Sequence, residues 1–430
     1  MSLNQPLDLS DATLAETAAP VRTKRSFSAL DGLPSSILPS VKQAAPLALP
    51  DVADASIALV HDWLTVYSGS ERVLEQMIAL HPNADVFAAI DFLPEAQRGF
   101  LGGKRPGTSF AQYLPLMRKH YRKWLPLLML AVEQIDVSHH DLVISSSAAI
   151  AKGVLTGPEQ LHISYVHSPM RYAWDLQHEY LHDSNLDHGI GGFLARCLLH
   201  NARFWDLRTT NGVDHYIANS HFIAKRIWKV YRREAAVIYP PVDTDRFQRV
   251  DKKDDFFLTV SRMVPYKKIP LIVEAFARMP ERRLVVIGDG PDMKKVKQLA
   301  TPNIEILGFQ PAAALTGYMQ RARAFVFAAQ EDFGISPVEA QACGTPVIAY
   351  GRGGALETIR GEHPLAAPPT GLFFHRQTAD AIVAAVQEFE RREALFSPRA
   401  CRENAERFSV DNFRRRYGNF VQHCWDLFAA

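Results

Sequence analysis

Two glutamates stand eight positions apart in EDFGISPVEA, Glu331–Ala340, with Gly334, Ser336 and Pro337 between them. A loop carboxylate can accept hydrogen bonds from two sugar hydroxyls. Amides at a helix start attract phosphate, and a glycine there lets the backbone come close to a ligand. Part of the pattern has a purely local reading. Ser336 and Glu339 form S-x-x-E, a capping box, with Pro337 at the first helical position and Gly344 just past the helix end. That reading leaves Glu331, Asp332, Phe333 and Gly334 unexplained. They follow the apolar run AFVFAA. In a parallel α/β sheet, the loop after a strand lies at the ligand edge.

Other stretches carry compatible chemistry. In VSRMVPYKK, Arg262 and Lys267 flank a proline turn, so both can enter one cleft. An arginine fork with a lysine point charge makes a diphosphate clamp; alone, the segment also reads as a solvated basic turn. VIGDGP places Gly288 and Gly290 after an apolar run, but it does not continue as the dinucleotide fingerprint G-x-G-x-x-G. In HDWLTVYSGSERV, Gly69 lies between Ser68 and Ser70, which suits a loop passing a phosphate or an acceptor. In YVHSPMRYAWD, His167 ends an apolar run. A lone histidine is more often structural. Here Ser168, Arg171, Tyr172 and Trp174 follow it, a set suited to sugar and phosphate.

The elements that must position these residues are legible as alternation. ASIALV, ADVFAAI, DLVISSS, LHISYVH, HYIANS and AAVIYPPVD are buried-strand candidates separated by helical patterns. Pro240 and Pro241 interrupt the series. It restarts with FFLTVSR, RLVVIGDG, IEILGF, AFVFAAQ, TPVIAY and GLFF. Such alternation predicts parallel sheets covered on both faces, in two doubly wound α/β domains with a ligand cleft between them. At the C-terminus, Ser409 can cap a helix with Phe413, Tyr417, Phe420, Cys424, Leu427 and Phe428 on its packing face.

In that context EDFGISPVE, continuing as AQACGTPVIAYGRGGALETI, resembles the E-x7-E motif of retaining glycosyltransferases of family 4. VSRMVPYKK resembles the same family's GRL-x-P-x-K-G element, with Lys268 where glycine is commoner; either Lys267 or Lys268 can then reach the phosphate. The resemblance spans Ile57 to Phe428. It implies a GT-B fold, two Rossmann-like domains facing across a cleft, with a C-terminal helix crossing back to the first. The implied boundaries are 55–240 for an acceptor domain, 241–400 for a donor domain and 401–430 for the returning helix.

By resemblance, Glu331 contacts donor-sugar hydroxyls and His167 lies near the reacting carbon. Arg262 and Lys267 hold the diphosphate. Gly69, Gly288 and the amides around Phe333, Gly334 and Ile335 line the donor, and Glu339 holds the ribose. Ser70, Arg171 and Trp174 are candidates for the acceptor or sugar pocket. HSPMRYAWD looks like mannosyl-transferring members that build bacterial surface polysaccharides. The expected activity is therefore transfer of a sugar, mannose from GDP-mannose favoured, to a lipid-linked saccharide acceptor. No metal and no cofactor is expected for the chemistry. The alternatives are a GT-B-type sugar-nucleotide epimerase, a phosphorylase, or a non-catalytic partner subunit.

The rest of the chain sets bounds. A formal net charge of +2 argues against nucleic acid as a partner. The cysteines form no C-x-x-C pair, as expected of a reduced cytoplasmic chain. The first residues carry neither a basic nor an apolar signal region. Residues 1–54, rich in Ala, Pro, Ser and Leu, read as a disordered extension. Residues 113–130, YLPLMRKHYRKWLPLLML, mix basic, aromatic and leucine residues. They suit either contact with the inner membrane's cytoplasmic face or an ordinary packed helix. IAKRIWKVYRRE adds a second basic cluster.

Overall fold

The computed structural model describes residues 52–361 and 367–430. The extension read over 1–54 lies outside the described residues except for 52–54. These form a turn that sets Val52 against the first core.

The first lobe is built on strands β1 (Ile57–His61), β2 (Asp85–Ala88), β3 (Gly107–Thr108), β4 (Leu142–Ser147), β5 (Leu161–Val166), β6 (His215–Ala218) and β7 (Ala236–Val237). They form a seven-stranded sheet in the order β3-β2-β1-β4-β5-β6-β7, with every pairing parallel. The second lobe holds β8 (Phe257–Val260), β9 (Leu284–Ile287), β10 (Ile304–Gly308), β11 (Ala324–Phe327), β12 (Val347–Tyr350) and β13 (Gly371–Phe374). Its six-stranded sheet runs β10-β9-β8-β11-β12-β13, again all parallel. In both sheets the order reverses beside the first strand, and that switch point is where ligands bind.

Every residue of β1, β4 and β5 is buried, because helices cover both faces. Apolar residues dominate the first halves of β1 and β4, while Ser145, Ser146, Ser147, His162 and Ser164 are buried polar residues within the sheet. Every strand but β3 falls on a run the sequence marks. Two residues are too few to leave a pattern.

The 410–429 helix starts at Ser409, whose Oγ accepts from the Asn412 amide. It puts Phe413, Tyr417, Val421, Cys424 and Trp425 into the core of the first lobe. Leu427, expected on that face, is exposed, while Trp425 is buried. The two crossings between lobes run side by side, joined by a parallel bridge between Val242 and Ser409.

Candidate active site

The loop after β11 leads into the Ile335–Ala342 helix. Gly334 is the N-cap, at φ 94 and ψ 78, and no side chain caps this start. The expected capping box is therefore absent: Ser336 and Pro337 already lie in the first turn. The reason is local. A glycine in the left-handed region opens the helix before Ser336 can adopt the extended cap conformation. The Pro337 nitrogen still costs nothing, since first-turn amides lack helical partners. At the far end Gly344 has φ 78, and the Gly344 and Thr345 amides donate to the Gln341 and Ala340 carbonyls. That is a Schellman closure. The Phe333 ring points into the second-lobe core, 5.4 Å from Phe408 and 5.8 Å from Tyr239. Only its backbone can serve the cleft.

The clamp residues gather at this loop. The Lys267 ammonium lies against the Glu331 carboxylate. Burial, with Arg171 and Arg262 nearby, brings Lys267 down to about 7. Arg262 is exposed beside it. Lys268 has φ 55, which accounts for a preference for glycine at this position. Its ammonium turns instead toward Glu179 of the first lobe, at 3.8 Å. Gly288 has φ 131, and a Cβ there would sit 1.9 Å from the Ser261 carbonyl oxygen. It lets the loop after β9 pack on the loop that carries Arg262.

On the first lobe, His167 follows β5. Its Nε2 lies 2.8 Å from Ser146 Oγ, which is 3.1 Å from His61 Nδ1. His61 Nε2 is 3.3 Å from Glu71 Oε1. Burial, with His61 beside it, draws His167 down to about 3. Burial alone would raise the Glu71 carboxyl. Bonds from His61 and Ser68 outweigh it and bring Glu71 down to about 2. Asp62, next to His61, accepts four amides, from Ala148, Ala149, Ile150 and Ala151, and so ties β1 to the loop after β4.

Two pocket candidates have polar atoms engaged within the first lobe. Trp174 donates from Nε1 to buried Asp206 at 2.7 Å and packs with the first-lobe core. An indole N–H needs a partner when covered, and Asp206 supplies it. Ser70 Oγ donates to Glu71 Oε2 at 3.0 Å, so its hydroxyl is committed to its own helix start. Arg171 does reach the cleft loop, with Nη2 at 2.9 Å from Asp332 Oδ2.

Further pairs close the cleft. Arg226 Nη1 meets Asp332 Oδ1 at 2.8 Å, and Arg72 Nη1 meets Glu339 Oε1 at 2.8 Å. Glu357 of the second lobe accepts the His221 and Phe222 amides, both at 2.8 Å. Asn219 donates to the His167 carbonyl at 2.9 Å, and Ser220 donates to the Asp332 carbonyl at 2.6 Å. His167 and the acidic loop are thus held by adjacent residues. Gly69 comes so near that a Cβ would be 3.2 Å from Ile335 Cδ1.

His61, Glu71, Ser146, Arg72 and Arg226 had not been singled out as site residues. Glu71 stands three residues after Ser68, the same S-x-x-E spacing noticed at Ser336. Arg226, in the second basic cluster IAKRIWKVYRRE, faces Asp332 and Asp175.

Comparison with known proteins bears on the fold and on the second lobe. Residues 242–408 match the model of the family Glycosyl transferases group 1. The two-lobed fold is GT-B. The Anabaena protein HepE, solved with UDP, superposes at TM-score 0.60 and 16% identity, covering 86% of this chain and 100% of that one. Sucrose-phosphate synthase from Thermosynechococcus elongatus superposes at 0.65 and 17%, with the same coverage. Among curated sequences, D-inositol 3-phosphate glycosyltransferase of Mycobacterium leprae is 28% identical over 243 residues, 48% of this chain and 56% of that protein. A GDP-mannose-dependent α-(1-6)-phosphatidylinositol monomannoside mannosyltransferase of Mycolicibacterium smegmatis is 27% identical over 183 residues, 35% of this chain and 48% of that protein. The chain spans about half the length of the curated relatives it matches.

Proposed function

We propose that the protein is a retaining hexosyltransferase that moves a sugar from a nucleotide-sugar to a lipid-linked saccharide acceptor. One observation carries the reading: Lys267 and Glu331 meet in the loop before an uncapped helix start, with Arg171 and Arg262 alongside. Cations and open amides suit a diphosphate, and Glu331 suits sugar hydroxyls. Glu339 takes the ribose once it leaves Arg72. His167 approaches the sugar from the first lobe.

In this mechanism the diphosphate leaves as the acceptor hydroxyl arrives on the same face. The leaving phosphate oxygen takes the acceptor's proton. Arg262, Lys267 and the amides of the 335–342 helix stabilise the charge that grows on the diphosphate, so the chemistry needs no metal. Closed lobes exclude water and limit hydrolysis.

GDP-mannose is the favoured donor. This rests on the HSPMRYAWD resemblance and on a relative named as GDP-mannose-dependent. A lipid-linked acceptor in surface polysaccharide synthesis, met at the cytoplasmic face of the inner membrane, draws support from residues 113–130. There Tyr113, Leu116, Trp124 and Leu130 are exposed beside exposed Arg118, Lys119, Arg122 and Lys123. Among the described residues, no helix is long and apolar enough to cross a membrane.

The test is a donor screen with polyprenyl-linked saccharide acceptors, following release of nucleoside diphosphate. Acceptor-dependent release is expected, with a larger melting shift from GDP than from UDP. Glu331→Ala is expected to abolish release while the melting temperature holds. Full activity in that variant would refute the role given to Glu331. Release that never depends on acceptor would favour a hydrolytic reading, and a donor that is converted with no release of nucleoside diphosphate would favour an epimerase.

A further inference from the structure

Three buried side chains stand behind His167 in a single file. Ser146 is 1% exposed, His61 2% and Glu71 3%. The contacts run Glu71 Oε1 to His61 Nε2, His61 Nδ1 to Ser146 Oγ, and Ser146 Oγ to His167 Nε2. Carboxylate, imidazole and hydroxyl in this order look like a hydrolase triad. The hydroxyl is sealed from solvent and already faces a second imidazole, so it is no nucleophile. The file ends at His167 Nδ1, which has no hydrogen-bond partner among the described residues.

We propose that Glu71, His61 and Ser146 are positioning residues that fix the ring and the tautomer of His167, leaving its Nδ1 as a bare acceptor toward the cleft. The proton count follows from the contacts. Glu71 also accepts from the Ser68 amide at 3.0 Å and the Ser68 and Ser70 hydroxyls at 2.8 and 3.0 Å, so it is a carboxylate. It therefore takes the proton of His61 Nε2. A singly protonated His61 then offers Nδ1 as an acceptor and receives the Ser146 hydroxyl proton. The Ser146 oxygen in turn receives the Nε2 proton of His167. Every proton along the file points away from the cleft. The lone pair of His167 Nδ1 remains, suited to a hydroxyl of a bound sugar. Tyr165, 5.1 Å away ring to ring, and the Asn219 bond to the His167 carbonyl hold the ring and its backbone in place. The proposal rests on the transferase reading for its consequence in catalysis, but not for the tautomer itself.

The two can be separated by experiment. The full chain, labelled with 15N-histidine, is examined at pH 8. The His167 signals are identified by their loss in His167→Gln. Wild type is expected to show His167 as the single Nε2–H tautomer. Ser146→Ala removes one oxygen and is expected to leave His167 as a mixture of tautomers. Ser146→Thr restores the hydroxyl and is expected to restore the single form.

Turnover is measured in parallel with UDP-glucose and GDP-mannose. Ser146→Ala is expected to lower kcat by roughly 10- to 100-fold, the range seen when a histidine that binds a metal loses the group that orients it. Donor KM stays unchanged, and Ser146→Thr rescues kcat. An Nδ1–H tautomer in wild type overturns the proposal, as does an unchanged tautomer in Ser146→Ala. A changed tautomer with full kcat overturns its catalytic part. If wild type turns over no nucleotide-sugar, the transferase reading fails, and the spectra decide the tautomer alone.

Discussion

The chain contains S-x-x-E at two helix starts that face each other across the cleft, and the two are used in opposite ways. At Ser68–Glu71 the glutamate folds back to accept the Ser68 amide, and its other oxygen meets His61. At Ser336–Glu339 the serine lies inside the helix, and the glutamate reaches across to Arg72. One start carries its own anion. The other is left open, with Gly334 as its only cap. A tetrapeptide pattern therefore does not decide between a cap and a binding site. The conformation of the residue before it does.

The largest expected effect comes from breaking the open side. Lys267→Ala removes the cation that sits against Glu331. We expect kcat for nucleotide-sugar turnover to fall by about 10²- to 10³-fold, in line with the loss of one donor at a site of developing charge. The affinity for GDP or UDP should weaken as well, while the melting temperature stays within a degree or two. Steady-state rates together with calorimetric titration check this. A variant that binds nucleotide as the wild type does would mean that the open start is not the anion site.

Breaking the closed side should show in stability instead. Glu71→Ala leaves the Ser68 amide and His61 Nε2 without an acceptor, at a cost of about 1–3 kcal/mol. Urea unfolding at neutral pH reads this directly, and nucleotide affinity should be unchanged. Acid gives a second reading. The folded carboxyl lies at about 2, against an ordinary 4.5. Its contribution is complete above about 4.5 and is lost as pH falls toward 2. The gap between wild type and Glu71→Ala should therefore narrow through that window. A gap that persists to pH 2 would remove the cap from the explanation.

This contrast also marks what the sequence can convey. The sheets were legible because a parallel strand buried on both faces is mostly apolar, as LVVI and AFVF are. The order of the elements followed from their alternation. Glu331, Lys267 and Arg262 stood out through their context, since the acidic stretch follows an apolar strand and opens a helix, and the basic turn read alone would pass for a solvated one. The His61–Ser146–His167 file was not legible. Its members come from β1, β4 and the end of β5, and only the parallel register of the sheet brings them level. The Trp174 bond was not legible either, because its partner Asp206 is far along the chain. Sequence gives an indole, not the direction it faces.

Smaller effects sharpen the comparison rather than break it. Arg72 joins the two starts, since it rises from the first helix to hold the Glu339 carboxylate. The guanidinium is partly exposed but the Glu339 carboxylate is buried, so losing Arg72 leaves that acceptor short of its donor at a cost of about 1–3 kcal/mol. Arg72→Ala should lower the melting temperature by a few degrees. If Glu339 must leave Arg72 to hold a ribose, the variant should bind GDP or UDP more tightly, by about fivefold or more, at the lower end of that range. Weaker binding would instead make Arg72 part of the nucleotide site.

The smallest effect is a fraction of a proton. Lys267 lies at about 7 because it is buried, with Arg171 and Arg262 beside it. In the empty cleft it is therefore partly neutral just above pH 7. A diphosphate beside it favours the charged form and raises its pKa. Between about 7 and that raised value, the complex holds more protons than the free protein, so binding must take protons up. Titration of GDP at pH 7.5 in buffers of different ionisation enthalpy measures the number. We expect an uptake that shrinks at pH 6, where the lysine is already charged, and that is absent in Lys267→Arg, whose guanidinium stays charged throughout. Equal uptake in that variant would assign the proton to another group, and Lys267 would then be no more than a partner of Glu331.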